Sequence, residues 1–527
     1  MSGGGVLLAM LLLPMVGAAV VAPMRTAPGM AKATGLAFAL VELILAAVAW
    51  SEYQPGGGRL QLILSVPWIP AFGTRFALGI DGIALVMIAL IAVLVPIVMG
   101  SSWAEKLPEG RTPASFYALV LALESLLIGV FVATDVFLFY LFFEVMLVPM
   151  YFLIGRFGGP RRQYAAVKFF LYSLLGGLVM LASVIGLFVV SGQRLGHGTF
   201  DWAALQRIAG TIPTSTQIWL FIGFFVAFAI KAPLVPLHTW LPDAGAEAPV
   251  GVGVLLVGVM DKVGIYGFLR YCLPLFPAAS RTLAPLVLVL AIAGIIYAAL
   301  LAVGQSDMKR FVAYTSVAHF GFIALGVFAF STQAQAGAVL YMVNHGISTG
   351  MLFIVVGMLI ARGGSRLISD YGGVSVLAPV LAGMMLLAGL SALALPGTNS
   401  FVSEFMVLIG SYPRQPVYTV IATAGIILAA LYVLWVYQRL MQGPVRGSAV
   451  LGALGGPGSA TAPGAHRRRS GFPDLSIREV AVLVPLVALI LLLGFFPQPV
   501  LNVIKPSVGA TVTEVGLSDP VTGQGGS

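Results

Sequence analysis

Residues 218–236 read IWLFIGFFVAFAIKAPLVP, an apolar run that reaches a lysine, Lys231, and then two prolines, Pro233 and Pro236. An ionisable group inside a bilayer costs about 3 kcal/mol on insertion scales, so by default it marks a path for ions. Membrane helices that are interrupted beside such a group are typical of ion and proton sites. The stretch therefore predicts a membrane helix that breaks next to a buried, functional lysine.

The chain as a whole has the composition of a membrane protein. Of its 527 residues, 59% are hydrophobic and only 9% are charged, and its mean hydropathy is +1.02. Soluble domains carry roughly 25% charged residues. The basic residues behind the net charge of +9 are divided among short loops, which indicates membrane orientation signals and no nucleic-acid partner. The predicted fold class is an all-α polytopic membrane protein.

Several kinds of cofactor site are excluded on this chain. Cys272 is the single cysteine, so the sequence cannot ligate an iron–sulfur cluster or form an internal disulfide. No GxGxxG fingerprint lies between a strand and a helix. The five histidines are scattered, and no His, Cys and Asp residues have metal-ligand spacing. Any redox chemistry that accompanies this protein is expected on another chain.

The number of membrane spans follows from the apolar stretches, because a helix needs about 20 apolar residues to cross roughly 30 Å of hydrocarbon. By this rule the chain contains about fourteen spans. The twelfth is too long for one straight crossing and contains LPGTN at 395–399, so we expect a break there, as in the seventh. The expected spans are 4–23, 31–50, 81–100, 114–132, 134–155, 165–191, 216–236, 249–272, 283–304, 311–330, 335–360, 376–411, 416–441 and 478–501.

The basic residues indicate the orientation of these spans. Loops that follow odd-numbered spans carry most of the basic residues, so we expect these loops in the cytoplasm and both termini outside. No lysine or arginine precedes the first apolar run, which we interpret as a retained span and not as a secretory signal. The loop after the seventh span departs from the trend, because it carries Asp243 and Glu247 and no basic residue.

The segments outside the spans suggest how the chain is divided. Residues 60–79 predict an external hairpin, residues 443–471 a flexible cytoplasmic linker, and residues 507–527 a poorly ordered tail. The matching breaks in spans seven and twelve indicate inverted repeats. The expected units are N-terminal helices with the hairpin (1–113), a first five-helix repeat (114–275), a second five-helix repeat (276–441), the linker (442–477) and the last span with its tail (478–527).

Two buried charges lie well inside their spans. At 1.5 Å per residue, Glu144 is about 15 Å and Lys231 about 20 Å along its span. A desolvated lysine holds its proton less tightly, and a carboxylate 4 Å away restores about 4 kcal/mol at an effective dielectric of 20. Separating the two groups would therefore release a proton. The alternatives are a glutamate that only hydrogen-bonds to a neighbouring helix and a static ion pair that fixes packing.

Further titratable residues lie in other apolar spans. We interpret Lys262 and Glu404 as proton-relay groups. His319 and His345 are relay candidates because histidine titrates near physiological pH, although each can equally be a hydrogen-bonded packing residue. Adjacent helix residues point about 100° apart, so Asp261, which precedes Lys262, is either a relay group or a local counter-ion.

Four other polar residues carry weaker signals. His238 follows the proline break, where a structural use is expected. Glu124 and Lys168 either line a path for protons or pair locally. Asp135 is expected to start a helix near the outer surface.

Three stretches resemble a known family. Residues 231–244 (KAPLVPLHTWLPDA), 306–321 (SDMKRFVAYTSVAHFG) and 344–353 (NHGISTGMLF) are similar to signatures of the antiporter-like subunits of respiratory complex I, which are related to Mrp antiporters. The resemblance extends over about residues 60–440.

Two more stretches resemble one particular subunit type within that family. These are residues 142–154 (FFEVMLVPMYFLI) and 395–405 (LPGTNSFVSEF). Glu404 discriminates this type, because its L- and N-like sister subunits usually carry lysine at the equivalent position.

The resemblance implies a fold and a function. The fold has about fourteen transmembrane helices in two inverted five-helix repeats, each containing a broken helix. The function is proton translocation in a bacterial NADH-quinone oxidoreductase. Along the implied path Glu144 pairs with Lys231, Lys262 is the central relay and Glu404 leads outward. His319 and His345 match family histidines on the same path.

The resemblance also implies partners and a location. It implies no cofactor on this chain, and places FMN, iron–sulfur clusters and quinone on partner subunits. The neighbours would be L- and N-like antiporter subunits of the membrane arm, surrounded by the lipid bilayer of the bacterial cytoplasmic (inner) membrane.

The chain departs from the family pattern at three places. Gly245 stands where the family usually has histidine, residues 250–254 replace a usual TAGSV stretch, and Asp261 replaces an apolar residue. These differences put a loop-histidine role in doubt and point to altered proton access around Lys262.

Two other functions agree with the same residues. One is an Mrp-type cation/proton antiporter subunit, which shares the helices and lysines and has no link to NADH. The other is an assembly scaffold whose buried charges only hold helices together, in which case Glu144→Gln would leave pumping intact. Co-purification with flavin and iron–sulfur subunits would distinguish a subunit of NADH-quinone oxidoreductase from an Mrp-type antiporter subunit.

Overall fold

The computed structural model describes residues 3–455 and 471–520. Its first part is a group of four helices with a β-hairpin between the second and the third. The antiparallel hairpin, in which Ser65 lies opposite Ala77, confirms that residues 60–79 form a hairpin, while its external location stays a prediction. The elements are α1 Gly3–Val21, α2 Pro28–Glu52, β1 Gln61–Ile69, β2 Thr74–Ile80, α3 Gly82–Ser101 and α4 Pro113–Val132.

The middle part contains the first broken helix and a crossing with unusual helical geometry. Two π-helical stretches, Leu256–Met260 and Phe268–Cys272, join three short helices into one crossing, Val250–Leu275. The elements are α5 Val136–Val145, α6 Leu147–Phe157, α7 Arg162–Leu195, α8 Trp202–Ile208, α9 Thr214–Lys231, α10 Trp240–Glu247, α11 Val250–Leu255, α12 Lys262–Gly267 and α13 Leu273–Leu275.

The last part contains the second broken helix and two helices near the C-terminus. The elements are α14 Pro277–Val303, α15 Met308–Phe328, α16 Thr332–Gly363, α17 Val374–Leu377, α18 Pro379–Ala392, α19 Asn399–Ser411, α20 Pro416–Met441, α21 Ser448–Ala453, α22 Ile477–Phe495 and α23 Gln498–Glu514. The crossing Val250–Leu275, α15 and α16 are almost wholly buried, so they form the centre of the molecule.

The helices confirm the predicted class of fold. In the described part of the chain, thirteen helices are long and apolar enough to cross a membrane. The shorter pair α18 and α19 supplies one more crossing, which agrees with about fourteen expected spans. The chain is an all-α, multi-pass membrane protein.

The first expected break separates α9 from α10. Pro233 and Pro236 have no backbone N–H to continue the hydrogen-bond ladder after Lys231. The indole Nε1 of Trp240 donates a hydrogen bond of 2.9 Å to the carbonyl of Ile230, which ties the start of α10 to the end of α9. The predicted break in the seventh span is confirmed.

The second expected break separates α18 from α19. Ala394 and Gly397 between them have positive φ values of 59° and 94°. Such left-handed backbone cannot continue a right-handed helix. The predicted break in the twelfth span is confirmed.

A third interruption was not expected, because residues 134–155 were predicted to form one helix. The helix stops at Val145 and resumes at Leu147. Pro149 explains the difference, since its missing N–H cannot bond to the carbonyl of Val145 and its ring clashes with that carbonyl. Glu144 therefore lies beside a discontinuity and not within a regular helix.

The prediction of a poorly ordered tail from residue 507 is wrong over its first part. Helix α23 continues to Glu514 and buries Ser507, Val508 and Thr511. Ser507 anchors it by accepting a hydrogen bond of 2.8 Å from the amide of Gly82. Helix α23 is therefore ordered by its contacts with the rest of the protein, although its own composition predicted a poorly ordered segment. Residues 521–527 lie outside the described part of the chain.

Only part of the predicted linker lies within the described residues. Residues 456–470 lie outside the described residues. Before them, α21 is helical and buries Val450, so residues 448–453 are not the flexible chain that their composition predicted. The division into two repeats, with the boundaries given above, stays a prediction.

Candidate functional site

Lys231 occupies the last position of α9, where the helix breaks. Its side chain is fully buried, and Nζ donates a hydrogen bond of 3.3 Å to Oγ of Ser173 on α7. The Nζ also lies 5.5 Å from the ring centroid of Phe143 and 5.1 Å from that of Phe169, within the range of cation–π attraction. The carbonyl end of α9 adds its negative dipole. Protonated Lys231 is therefore held by a hydroxyl, two rings and a helix end.

Glu144 lies in the last turn of α5 and is half-buried. Its Oε1 has no hydrogen-bond partner among the described residues, and it lies against Gly177 of α7, where a side chain would overlap the carboxylate. Glu144 and Lys231 interact electrostatically, but they are not among the described ion pairs within 4.0 Å. The resemblance implies that Glu144 and Lys231 form a pair, and in this structure their charged groups are not in direct contact.

Lys262 begins α12, directly after the first π-helical stretch. It is fully buried, and its Nζ lies 2.7 Å from Nδ1 of His345 on α16. It also donates a hydrogen bond to the carbonyl of Val257 and lies 5.2 Å from the ring centroid of Phe320. An ammonium group in this position can donate its proton directly to a neutral imidazole.

The two predicted histidines are neighbours at the centre of the molecule. The rings of His319 and His345 meet edge to face, with centroids 5.3 Å apart. Nε2 of His319 lies 3.4 Å from the hydroxyl of Tyr432. The ring of His319 also lies 5.8 Å from that of Tyr341, centroid to centroid.

Glu404 lies in the second turn of α19 and is buried. Its Oε2 accepts a hydrogen bond of 2.9 Å from the hydroxyl of Tyr341. Because Tyr341 contacts His319, the tyrosine connects the histidines with the glutamate. The buried axis is the line of titratable groups Glu144, Lys231, Lys262, His345, His319, Tyr341 and Glu404.

Tyr341 and Tyr432 were missed by the sequence reasoning, which considered only charged residues and histidines. A signal for Tyr341 was present, because it lies four residues before His345. Residues at this spacing share one face of a helix, and Ser348 continues the same face. Tyr341, His345 and Ser348 thus form a polar stripe on an otherwise apolar membrane helix, and this stripe could have identified Tyr341 as a site residue.

A network of amides and hydroxyls joins the second break to α16. Asn344 donates hydrogen bonds to the carbonyl of Asn399 at 2.7 Å and to Oγ of Ser403 at 3.1 Å. Ser348 and Ser391 lie 2.6 Å apart, and Ser391 donates to Asn399 at 2.7 Å. In hydrocarbon every backbone group freed by a helix break needs a partner inside the protein, and these side chains supply partners.

The weaker candidates are placed outside the buried axis. Glu124 is fully buried beside Glu42 of α2, and neither carboxyl has a hydrogen-bond partner among the described residues. His238 is buried against the ring of Tyr297. Asp135 caps α5 by accepting from two backbone amides, which confirms the predicted helix start, although its side chain is fully buried.

The acidic residues after the seventh span lie on α10 and pair with cations from other elements. Asp243 accepts hydrogen bonds of 2.7 Å from both Lys168 on α7 and Arg310 on α15. Burial favours its neutral form, but these two cations outweigh burial and hold the pKa of Asp243 below its ordinary value. Glu247 lies 3.2 Å from Arg366. Lys168 thus pairs locally. The basic partners that this segment lacks in its own sequence come from other elements of the fold.

A metal site is not evident in the described ranges. Within residues 3–455 and 471–520, no three His, Cys, Asp or Glu side chains lie close enough together to hold a metal ion.

Residues 133–431, more than half of the chain, match the family described as NADH:quinone oxidoreductase/Mrp antiporter, TM. The chain belongs to this family. The matched range includes both predicted helix breaks and every group of the buried axis, so the sequence similarity that defines the family coincides with the site described above.

Relatives of this family are similar to the chain over nearly its whole length. NADH-quinone oxidoreductase subunit M of Mycobacterium tuberculosis (strain H37Rv) is 43% identical over 97% of this chain and 94% of the relative. The subunit of the same name from Escherichia coli (strain K12) is 38% identical over 90% of each chain.

Solved structures in this family have the same fold. A chain of respiratory complex I from Thermus thermophilus with bound NADH matches with a TM-score of 0.83 and 30% identity, over 97% of this chain and all of that one. A chain of the Mrp complex from Dietzia sp. DQ12-45-1b matches with a TM-score of 0.81 over 96% of this chain and 99% of that one. The second match is 21% identical and shows the fold alone.

Proposed function

We propose that the chain is the M-type, antiporter-like membrane-arm subunit of a bacterial NADH-quinone oxidoreductase, and that it moves protons along the buried axis. The observation that carries the proposal is the contact of 2.7 Å between Lys262 and His345, both fully buried. Two titratable groups in direct contact at the centre of a membrane protein form one step of a proton path. The relatives named subunit M support the assignment to this complex.

The first step concerns Glu144 and Lys231. At 4 Å and an effective dielectric of 20 their attraction would be about 4 kcal/mol, and it falls as the distance grows. A neighbouring subunit that moves Glu144 toward or away from Lys231 therefore changes how tightly the lysine holds its proton. The interruption at Met146, next to Glu144, is a place where α5 can bend.

The second step runs from Lys262 to Glu404. Lys262 gives a proton to Nδ1 of His345, and the imidazolium releases the proton on Nε2 toward His319. The rings are not hydrogen-bonded to each other, so this transfer uses a ring rotation or a bridging water. Tyr341 then connects His319 with Glu404, from which the proton leaves.

The complex, its location and its cofactors belong to the same proposal. The proton path is on this chain, while FMN, iron–sulfur clusters and quinone are on partner subunits, so the chain acts as the translocating part of a larger enzyme. L-like and N-like antiporter subunits flank it in the membrane arm. The complex lies in the bacterial cytoplasmic membrane, with both termini of this chain outside.

An Mrp-type cation/proton antiporter subunit is the second candidate. The family description supports it, because it covers Mrp antiporters as well as NADH:quinone oxidoreductases, and a chain of the Dietzia Mrp complex has the same fold. This match is less identical in sequence than the Thermus complex I chain, at 21% against 30%. Purification of the complex from native membranes in mild detergent separates the two. NADH-dependent quinone reduction, with flavin and iron–sulfur subunits present, identifies the oxidoreductase.

The central test replaces Lys231 by alanine in the assembled complex. We expect NADH-driven proton pumping to fall by about 100-fold, the scale of a lost acid–base group. Pumping is followed with a pH-sensitive dye in membrane vesicles, and the amount of complex by NADH–ferricyanide reduction, which does not use the membrane arm.

Lys505 provides the matched control for this test. It lies on α23 and is exposed, so Lys505→Ala removes the same side chain without touching the buried axis. Full pumping by Lys231→Ala at normal complex content would refute the proposed function. A loss of pumping in both variants would point to a general defect in the membrane arm.

A further inference from the structure

Asp261 is a fully buried carboxyl that the proposed path does not use. It lies between the first π-helical stretch and α12, on the same crossing as Lys262. Both of its carboxylate oxygens are without a hydrogen-bond partner among the described residues. An unpaired carboxylate in such a place is costly, so its charge must depend on nearby cations or on its own protonation.

Two cations are close enough to act on Asp261. It interacts electrostatically with Lys262, its neighbour in sequence, and with Lys231 at the end of α9. Close packing brings α12 to α9, because a Cβ at Gly264 would overlap the carbonyl of Phe228 and the amide of Ala232. Asp261 is therefore a carboxyl that both lysines of the buried axis share.

Asp261 and Lys262 are adjacent residues at the end of a π-helical turn, and their side chains point in different directions. The amide of Asp261 bonds to the carbonyl of Leu256, five residues earlier, at 3.2 Å. π-bulges of this kind occur often at functional sites. Lys262 uses its Nζ for His345 and the carbonyl of Val257, and Asp261 is left without a bond to it.

The geometry also argues against a fixed counter-ion. Asp261 is absent from the described ion pairs within 4.0 Å, although two lysines lie near it. A counter-ion that only fixes packing would be hydrogen-bonded to its cation. An unbonded carboxyl between two lysines can accept a proton from one and donate it to the other.

We propose that Asp261 is a proton-relay carboxyl between Lys231 and Lys262, which rests on the proposed function of the buried axis. The ammonium of Lys231 loses a proton to the Asp261 carboxylate, giving a neutral amine and a carboxylic acid. The acid then gives the proton to the neutral amine of Lys262, which becomes an ammonium, and the carboxylate is restored. No electrons are transferred. The step joins the two parts of the path that otherwise have no contact.

The test compares Asp261→Asn and Asp261→Glu in the assembled complex. Asparagine has nearly the same shape but cannot carry a proton, so we expect NADH-driven pumping per complex to fall by about 100-fold. Glutamate keeps the carboxyl, so it should restore most of the activity. Glu42→Gln is the matched control, because Glu42 is an equally buried and unpartnered carboxyl away from the buried axis.

A spectroscopic measurement distinguishes a relay from a structural role. A relay carboxyl changes its protonation during turnover, so an NADH-induced infrared difference spectrum should contain the carbonyl-stretch band of a carboxylic acid. That band should disappear in Asp261→Asn and shift in Asp261→Glu. If Asp261→Asn fails to assemble, the spectrum and activity of Asp261→Glu still decide the question.

The Lys231→Ala variant separates this inference from the proposed function. If Lys231→Ala stops pumping while Asp261→Asn pumps normally, the relay role of Asp261 is wrong and the buried axis stands. If Lys231→Ala pumps normally, both fail. Slow pumping by Asp261→Asn with an unchanged infrared band would show that the carboxyl only supports packing, which also overturns the relay.

Discussion

The break after α9 and the break before α19 carry opposite charges in different surroundings. Lys231 is at the carbonyl end of a half-helix and is held by two aromatic rings and one hydroxyl. Glu404 is in the second turn of its half-helix and is hydrogen-bonded to Tyr341. The cation thus occupies the helix end that suits it, while the anion depends on a side-chain donor.

The two breaks also differ in how their free backbone groups are satisfied. At the first break the main tie is one tryptophan, Trp240, bonded to the carbonyl of Ile230. At the second break a network of serine and asparagine side chains joins α19 to α16. The first site is therefore lined mainly by aromatic rings and the second by polar side chains.

The largest expected effect at the second break comes from Glu404→Gln. The amide oxygen of glutamine can still accept the hydrogen bond of Tyr341, so the fold should be kept, but the side chain can no longer bind and release a proton. We expect NADH-driven pumping to fall by about 100-fold, measured as dye quenching per assembled complex. Normal pumping would show that the proton does not leave through Glu404.

A smaller effect is expected from Tyr341→Phe. The change removes one buried hydrogen bond to Glu404, worth on the order of 1 kcal/mol and thus about fivefold in rate if the bond guides the proton. The same dye assay measures it. Tyr412→Phe, at an exposed tyrosine of the same region, is the control. An equal rate in the two variants would mean that the proton reaches Glu404 without the tyrosine.

The smallest effect concerns Asp243, near the first break and outside the membrane-spanning helices. Asp243→Asn weakens the bonds to Lys168 and Arg310, so local opening of residues 240–248 should cost about 1.5–3 kcal/mol less. Hydrogen–deuterium exchange of the purified complex measures this as faster exchange in that segment. Glu109→Gln, at an exposed surface residue, should leave the exchange unchanged.

The pH dependence of this segment follows from the same contact. Burial opposes the charge on Asp243, but the two cations hold its pKa below the ordinary value of 3.8. The stabilisation is therefore fully present above that value and is lost as the pH falls through the lower, folded pKa. Wild type and Asp243→Asn should differ by a constant amount from pH 5 to pH 8. A difference that shrinks within this interval would contradict the assigned contact.

Much of the fold could be predicted from the sequence because a bilayer imposes simple rules. Span length is set by the hydrocarbon thickness, and the prolines after Lys231 and in LPGTN mark places where a helix can break. The interruption at Met146 does not follow from Pro149 alone, because other prolines, such as Pro96 of α3, lie inside continuous helices. The helical tail α23 could not be predicted either, because its order comes from contacts with distant residues such as Gly82.

The sequence by itself determined that this is a membrane protein with charges buried in broken helices, because placing a charge in an apolar stretch has a cost that composition alone reveals. Only the tertiary structure decided which of these charges meet. Lys262 lies 83 residues from His345, and Tyr341 lies 63 residues from Glu404. Such contacts depend on how whole helices pack, and the period of one helix contains no information about the side chains of another.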